Sequence, residues 1–165
     1  MGANAIPSKL PLNEIFHAKT GSCDRLRFEV RLMLKRVLLS ALSIFVAWTL
    51  IDLLLHRYFL AAMYEANSGL WRPFDQMNVG LIYVVTFALI GTFLATYVLL
   101  VRPKSLRRGL AFGSFMGLAL GVSAGFGSYI HSPIPLALAW GWFIGGWLKA
   151  VAAGAIVGVL VPESK

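Results

Sequence analysis

The chain has 165 residues, of which 58% are apolar and only 13% charged, and its mean hydropathy is +0.74. Soluble domains carry about 25% charged residues, so apolar content of this size, gathered in runs of about twenty, excludes an ordinary soluble domain. The formal net charge is +8, but the basic residues stand in short blocks beside apolar runs, a pattern of membrane-topology signals rather than of a nucleic-acid surface; Cys23, the one cysteine, excludes an intrachain disulfide and a cysteine metal cluster.

Residues 1–24 hold Pro7, Pro11, Ser, Asn and a few charges without periodicity, and read as a disordered cytoplasmic tail. They lack the apolar core and small-residue cleavage site of a signal peptide. Residues 25–36 form a basic juxtamembrane segment with Arg25, Arg27, Arg31, Lys35 and Arg36. Leu26, Val30, Met33 and Val37 fit one helical face, as in an interfacial helix, although Leu26, Phe28, Val30 and Leu32 also alternate. Met33 stands just ahead of Lys35, Arg36 and an apolar run, a sufficient membrane start in itself, so a dispensable extension, or an artefact of start assignment, competes with a native tail as the reading of residues 1–32.

The first predicted span is 37–62. Val37 to Leu55 is nineteen positions with one ionisable group, Asp52, and extends roughly 28 Å, close to a bilayer's hydrocarbon thickness. Asn67, Ser68 and Gly69 stop it. Trp71 and Phe74 then suit the headgroup level, and Glu65 is interfacial. The second span, 79–101, is uncharged. Arg102, Lys104, Arg107 and Arg108 make a basic loop, and the third span, 109–130, is again uncharged. His131, Ser132, Pro133, Ile134 and Pro135 form a turn. The fourth span, about 135–161, contains one charge, Lys149, and residues 162–165 are a short cytoplasmic tail. The fold class is all-α, an integral-membrane four-helix bundle. Twelve Lys and Arg residues fall on the side of the N-terminus, the 102–108 loop and the C-terminus, against Arg57 and Arg72 on the other. The positive-inside rule therefore places both termini in the cytoplasm, and the general look resembles small four-span proteins of the bacterial inner (plasma) membrane.

The third span has Gly113, Gly117, Gly121 and Gly125 at strict four-residue spacing, a glycine zipper. The fourth has Gly146, Ala150, Gly154 and Gly158 at the same spacing, with Gly141 and Gly145 nearby. Small residues four apart let a neighbouring backbone approach, so the two spans are predicted to pack as a tight antiparallel pair, or one groove to make a homodimer.

Asp52 and Lys149 are the ionisable residues placed well inside the bilayer, where such groups cost at least about 2.5–3.5 kcal/mol and usually face protein or water. Their side chains lean toward each other, because the first span runs outward and the fourth inward. An ion pair competes here with separate snorkelling. Trp48, Asp52 and His56 form one stripe, in which Asp52 can accept from the His56 ring, as a proton relay would need; a wet interfacial anchor is the plainer role for His56. His56 and His131 lie on the same side and would be the ligands of a haem or metal, although they have no recognisable motif spacing. Trp140 and Trp142 fit an aromatic belt, Trp147 lies deeper, and Tyr83, Thr86, Thr92, Thr96 and Tyr97 are expected to hydrogen-bond within the bundle.

No phosphate loop, Ser/His/Asp set, zinc spacing or paired carboxylates appear, so no enzyme and no cofactor are predicted. The leading functional expectation is a structural or accessory membrane protein acting through helix or lipid contacts, with the bilayer and a second copy or a membrane-protein partner as its contacts, and no nucleic acid. The alternatives are an oligomeric small-solute or ion transporter using Asp52, His56 and Lys149, and a haem protein using His56 and His131.

Overall fold

The computed structural model describes residues 12–163, and no strand occurs among them. Residues 1–11, part of the expected tail, lie outside the described residues. The chain divides into two units, Met1–Lys35 and Arg36–Lys165.

Helix α1 is Leu12–Leu54. Residues 12–24, read as irregular from sequence, are therefore helical: no proline follows Pro11 in this stretch, so every residue keeps its backbone donor for the helical ladder. Residues 25–36 belong to α1 as well, and Phe28, Val30, Met33 and Leu34 are exposed on it.

The second unit contains the bundle. Four helical segments are long and apolar enough to cross a membrane: Arg27–Phe59, Val79–Leu100, Leu106–His131 and Leu136–Leu160. The first ends differently from the expected 37–62. After Leu54 comes a π-helical turn, Leu55–Phe59, closed by Leu60 N–H donating to Leu55 O at 2.9 Å; helix α2, Ala61–Ala66, follows. The cause is tertiary. Leu60 is buried against Gly141 and Leu55 reaches into the notch at Gly145, so the chain turns where those two glycines admit a leucine.

Helix α3, Val79–Leu100, starts at Asn78, whose side chain accepts from Leu81 N–H. Helix α4, Leu106–Val122, starts at Ser105, whose hydroxyl accepts from Arg108 N–H. Each cap satisfies a backbone donor that the first helical turn leaves free. A second π-helical turn, Ser123–Gly127, leads into the short α5, Ser128–His131. The Pro133–Pro135 turn then reverses the chain into α6, Leu136–Leu160.

Helices α4 and α6 pack backbone to backbone. A methyl at Gly113 would strike the Ala150 carbonyl, and one at Gly125 the Ala139 carbonyl. At Gly117 it would come within 2.9 Å of Ala150 Cβ, and at Gly121 within 2.8 Å of Phe143 O. Gly154 meets Gly109 and Gly113, Gly158 meets Leu106, and Gly146 faces Gly121 Cα. In lipid, such close approach replaces the hydrophobic drive that water would supply. Helices α1 and α3 join through larger side chains instead: Ile44, Trp48, Ile90, Phe93, Leu94 and Tyr97 form one core with Ala150, Ala153 and Val157. A second cluster, Leu60, Ile134, Leu138 and Ala139, closes the end near the 131–135 turn.

The hydroxyls of Thr86 and Thr96 donate to Ile82 O and Thr92 O, four residues back on their own helix. The outer faces carry exposed Leu38, Leu42, Val46, Leu50, Ile82 and Val85. So much contiguous apolar surface suits lipid rather than water. Four apolar helices of this kind are compatible with a small multi-pass membrane protein.

Candidate intramembrane polar site

Helix α1 brings Trp48 and Asp52 to α6, and the π turn adds Leu55 and His56. The α1–α6 contact is fixed by Trp48, whose indole N–H donates to Lys149 O at 2.8 Å. The Lys149 side chain turns back toward α1, with Nζ 5.8 Å from the Trp48 ring centroid and 2.8 Å from Asp52 Oδ1. Within about 6 Å of an indole centroid the ring's negative face attracts a cation, so Trp48 supports both ends of Lys149. The ion pair is not sealed: the Asp52 side chain is 41% exposed and that of Lys149 25%.

His56 Nε2 lies 3.7 Å from the same Asp52 oxygen, and its Nδ1 is 2.7 Å from Tyr64 OH. Trp142 Nε1 donates to that hydroxyl at 2.7 Å. An indole N–H can only donate, so Tyr64 accepts from Trp142 and keeps its own hydrogen for His56 Nδ1. A neutral imidazole that accepts at Nδ1 carries its hydrogen at Nε2, which stands 3.7 Å from Asp52, beyond hydrogen-bond reach. The result is a polar chain from Trp142 through Tyr64, His56 and Asp52 to Lys149. Tyr64 is braced by Trp71, edge-on at 5.3 Å between centroids. Burial raises the Tyr64 pKa above its ordinary value, partly offset by the Trp142 hydrogen bond, which keeps the phenol protonated as this assignment needs.

These groups line a cleft of about 250 Å³ with Ala124, Gly145 and Gly146. A second chamber of about 240 Å³ adjoins it, lined chiefly by Trp48, Leu89, Phe93, Met116, Leu120 and Ala150. Ala124, Gly146 and Lys149 border both. Both π-helical turns reach the cleft, one through Leu55 and His56 and the other through Ala124. Such turns leave backbone irregularity that is frequent at functional sites.

Of the residues singled out from sequence, Asp52, His56 and Lys149 are brought together. His131 ends α5, is exposed, and lines neither cavity. His56 Nδ1 is engaged by Tyr64, and His131 lies away from the cleft, so the two histidines are not brought together around one cavity. Among the described residues no group of three His, Cys, Asp or Glu is placed to hold a metal ion. Sequence reasoning missed Tyr64 and both π turns, and took Trp142 for a belt residue. Trp147 Nε1 is buried without a hydrogen-bond partner. No family model, curated protein or solved structure matches the chain.

Proposed function

We propose that the chain is a multi-pass protein of the plasma membrane that binds a small ligand in the cleft formed by Asp52, His56, Tyr64 and Lys149. Both termini and the 102–105 loop face the cytoplasm, and the 60–78 connection and the 131–135 turn face outward, following the distribution of Lys and Arg. The observation that carries the binding role is an ion pair left open to a cavity inside span-forming helices. Ionisable groups at such depth are costly and mark sites more often than scaffolding. The packing role is served elsewhere, because the glycine faces of α4 and α6 meet each other within one chain. The chamber that continues the cleft is chiefly apolar, which favours binding over ion conduction.

Cysteine labelling tests this reading. In a Cys23→Ser background, Ala124→Cys at the cleft and Leu118→Cys on the exposed face of α4 are treated with a membrane-impermeant thiol reagent in intact cells. Cys at 124 should react markedly faster. Equally slow reaction at both positions would mean that the cleft is not open to water, and the proposal would fall.

A further inference from the structure

We infer that the ligand is a membrane-borne lipophile with a small uncharged head, a carbonyl or hydroxyl, and a single apolar tail. This inference rests on the binding role proposed above and deepens it. Three features of the cavities lead to it. The first is their division of labour. One chamber carries Lys149, His56, Tyr64 and Asp52, and its neighbour carries Leu89, Phe93, Met116 and Leu120. Each is smaller than the roughly 300–1,000 Å³ typical of sites for drug-sized ligands. Their shared border at Ala124, Gly146 and Lys149 lets one molecule occupy both.

The second is charge. Asp52 and Lys149 neutralise each other at 2.8 Å. A phosphate or carboxylate head would have to take Lys149 from Asp52, and an ammonium head would have to take Asp52 from Lys149. Either exchange leaves a charge unpaired between span-forming helices. An uncharged head needs no exchange. Lys149 keeps ammonium hydrogens beyond the one given to Asp52, His56 presents Nε2–H, and the exposed part of the Asp52 carboxylate accepts from a hydroxyl.

The third is depth. Lys149 is thirteen residues into Leu136–Leu160, roughly 20 Å along the helix from its start. A lipid phosphate would have to leave the headgroup layer to reach it, whereas a neutral head does not. Two kinds of molecule share this chemistry: a tailed quinone, and a long-chain alcohol or acylglycerol.

The test uses the full chain in phosphatidylcholine nanodiscs and reads the ligand-dependent rise in thermal stability, which reports binding to the folded state. The probes are decyl-benzoquinone, 1-decanol, tail-less benzoquinone, decyl phosphate and decyltrimethylammonium. At least one neutral tailed probe should give a saturable rise. The tail-less and charged probes should need roughly tenfold higher concentration. Preference for the quinone or for the alcohol identifies the source, and either supports the inference. Ala124→Leu, which fills the border of the two chambers, and Leu120→Phe, which fills the apolar one, should each weaken the neutral probe roughly tenfold. A charged probe that binds as tightly as the neutral ones overturns the inference. So does the absence of saturation by every neutral probe, or binding unchanged in both filled variants. Fast labelling of Cys at 124 together with no neutral binder would overturn this inference while leaving the binding cleft standing.

Discussion

Lys149 Nζ donates to Asp52 Oδ1 at 2.8 Å across 97 positions of sequence, and joins α1 to α6 with a charge pair that neither helix could hold alone. Removing one partner of a buried pair typically costs about 3–5 kcal/mol, because the other is left uncompensated, while removing both is often nearly neutral. Partial exposure to the cleft puts this pair at the lower end of that range. Asp52→Asn and Lys149→Met are each expected to destabilise the protein by about 3 kcal/mol, and the double variant to recover most of the loss. A double-mutant cycle on unfolding in mild detergent measures the coupling. Strictly additive losses would show that the pair contributes nothing.

The glycine contacts sort substitutions by what the new methyl meets. At Gly113 it meets the Ala150 carbonyl, part of a backbone that cannot turn aside. At Gly145 it meets the Leu55 side chain, which can rotate, and at Gly91 nothing lies within 4 Å. Gly113→Ala should therefore lower stability by several kcal/mol, about the upper range for overpacking. Gly145→Ala should cost less, and Gly91→Ala should be neutral or gain up to about 1 kcal/mol from helix propensity. Thermal stability of the three variants checks the order, and a Gly113→Ala protein as stable as Gly91→Ala would contradict the observed approach of α4 and α6.

Much of this architecture is written in local pattern. Val79–Leu100 is legible as a span because it holds no charge over a bilayer's length, and Asp52 and Lys149 stand out because each interrupts an apolar run. A four-residue glycine repeat reveals a flat face, since that spacing stays on one side of a helix. What escapes the pattern depends on distant partners. The first span stops at Phe59 because Leu60 and Leu55 seat against Gly141 and Gly145 on α6, and nothing within residues 55–60 announces the π turn. Tyr64 carries no signal of its own in the sequence, and only the turn brings it to His56 and Trp142. His131, singled out by residue type alone, lines neither of the two cavities.

The proposed topology rests on charge and is directly measurable. Ser105 and Ser68 are both exposed, at opposite ends of the span-forming helices. In a Cys23→Ser background, cysteine at 105 should react only after the membrane is permeabilised, and cysteine at 68 should react in intact cells. The reverse pattern would invert the protein and place the polar cleft on the cytoplasmic side.

Tyr64 ties the cleft to pH in a way that one substitution isolates. Its hydroxyl accepts from Trp142 and donates to His56, so Tyr64→Phe leaves both without a partner and should cost about 1–3 kcal/mol, the usual penalty for stranding buried polar groups. The loss should be present at neutral pH and shrink in alkali. Burial raises the folded-state pKa of Tyr64 above the ordinary 10.0. The folded protein therefore holds the phenolic proton more tightly than the unfolded chain does. The stability this contributes is fully present below pH 10.0 and is lost as pH rises through the folded value. Other titrating groups are common to both proteins, so the difference between wild type and Tyr64→Phe is the quantity to follow. Denaturant unfolding from pH 7 to 11 should show that difference constant up to about pH 9 and falling above 10. A difference that stays flat to pH 11 would mean that burial does not raise the Tyr64 pKa in the folded protein.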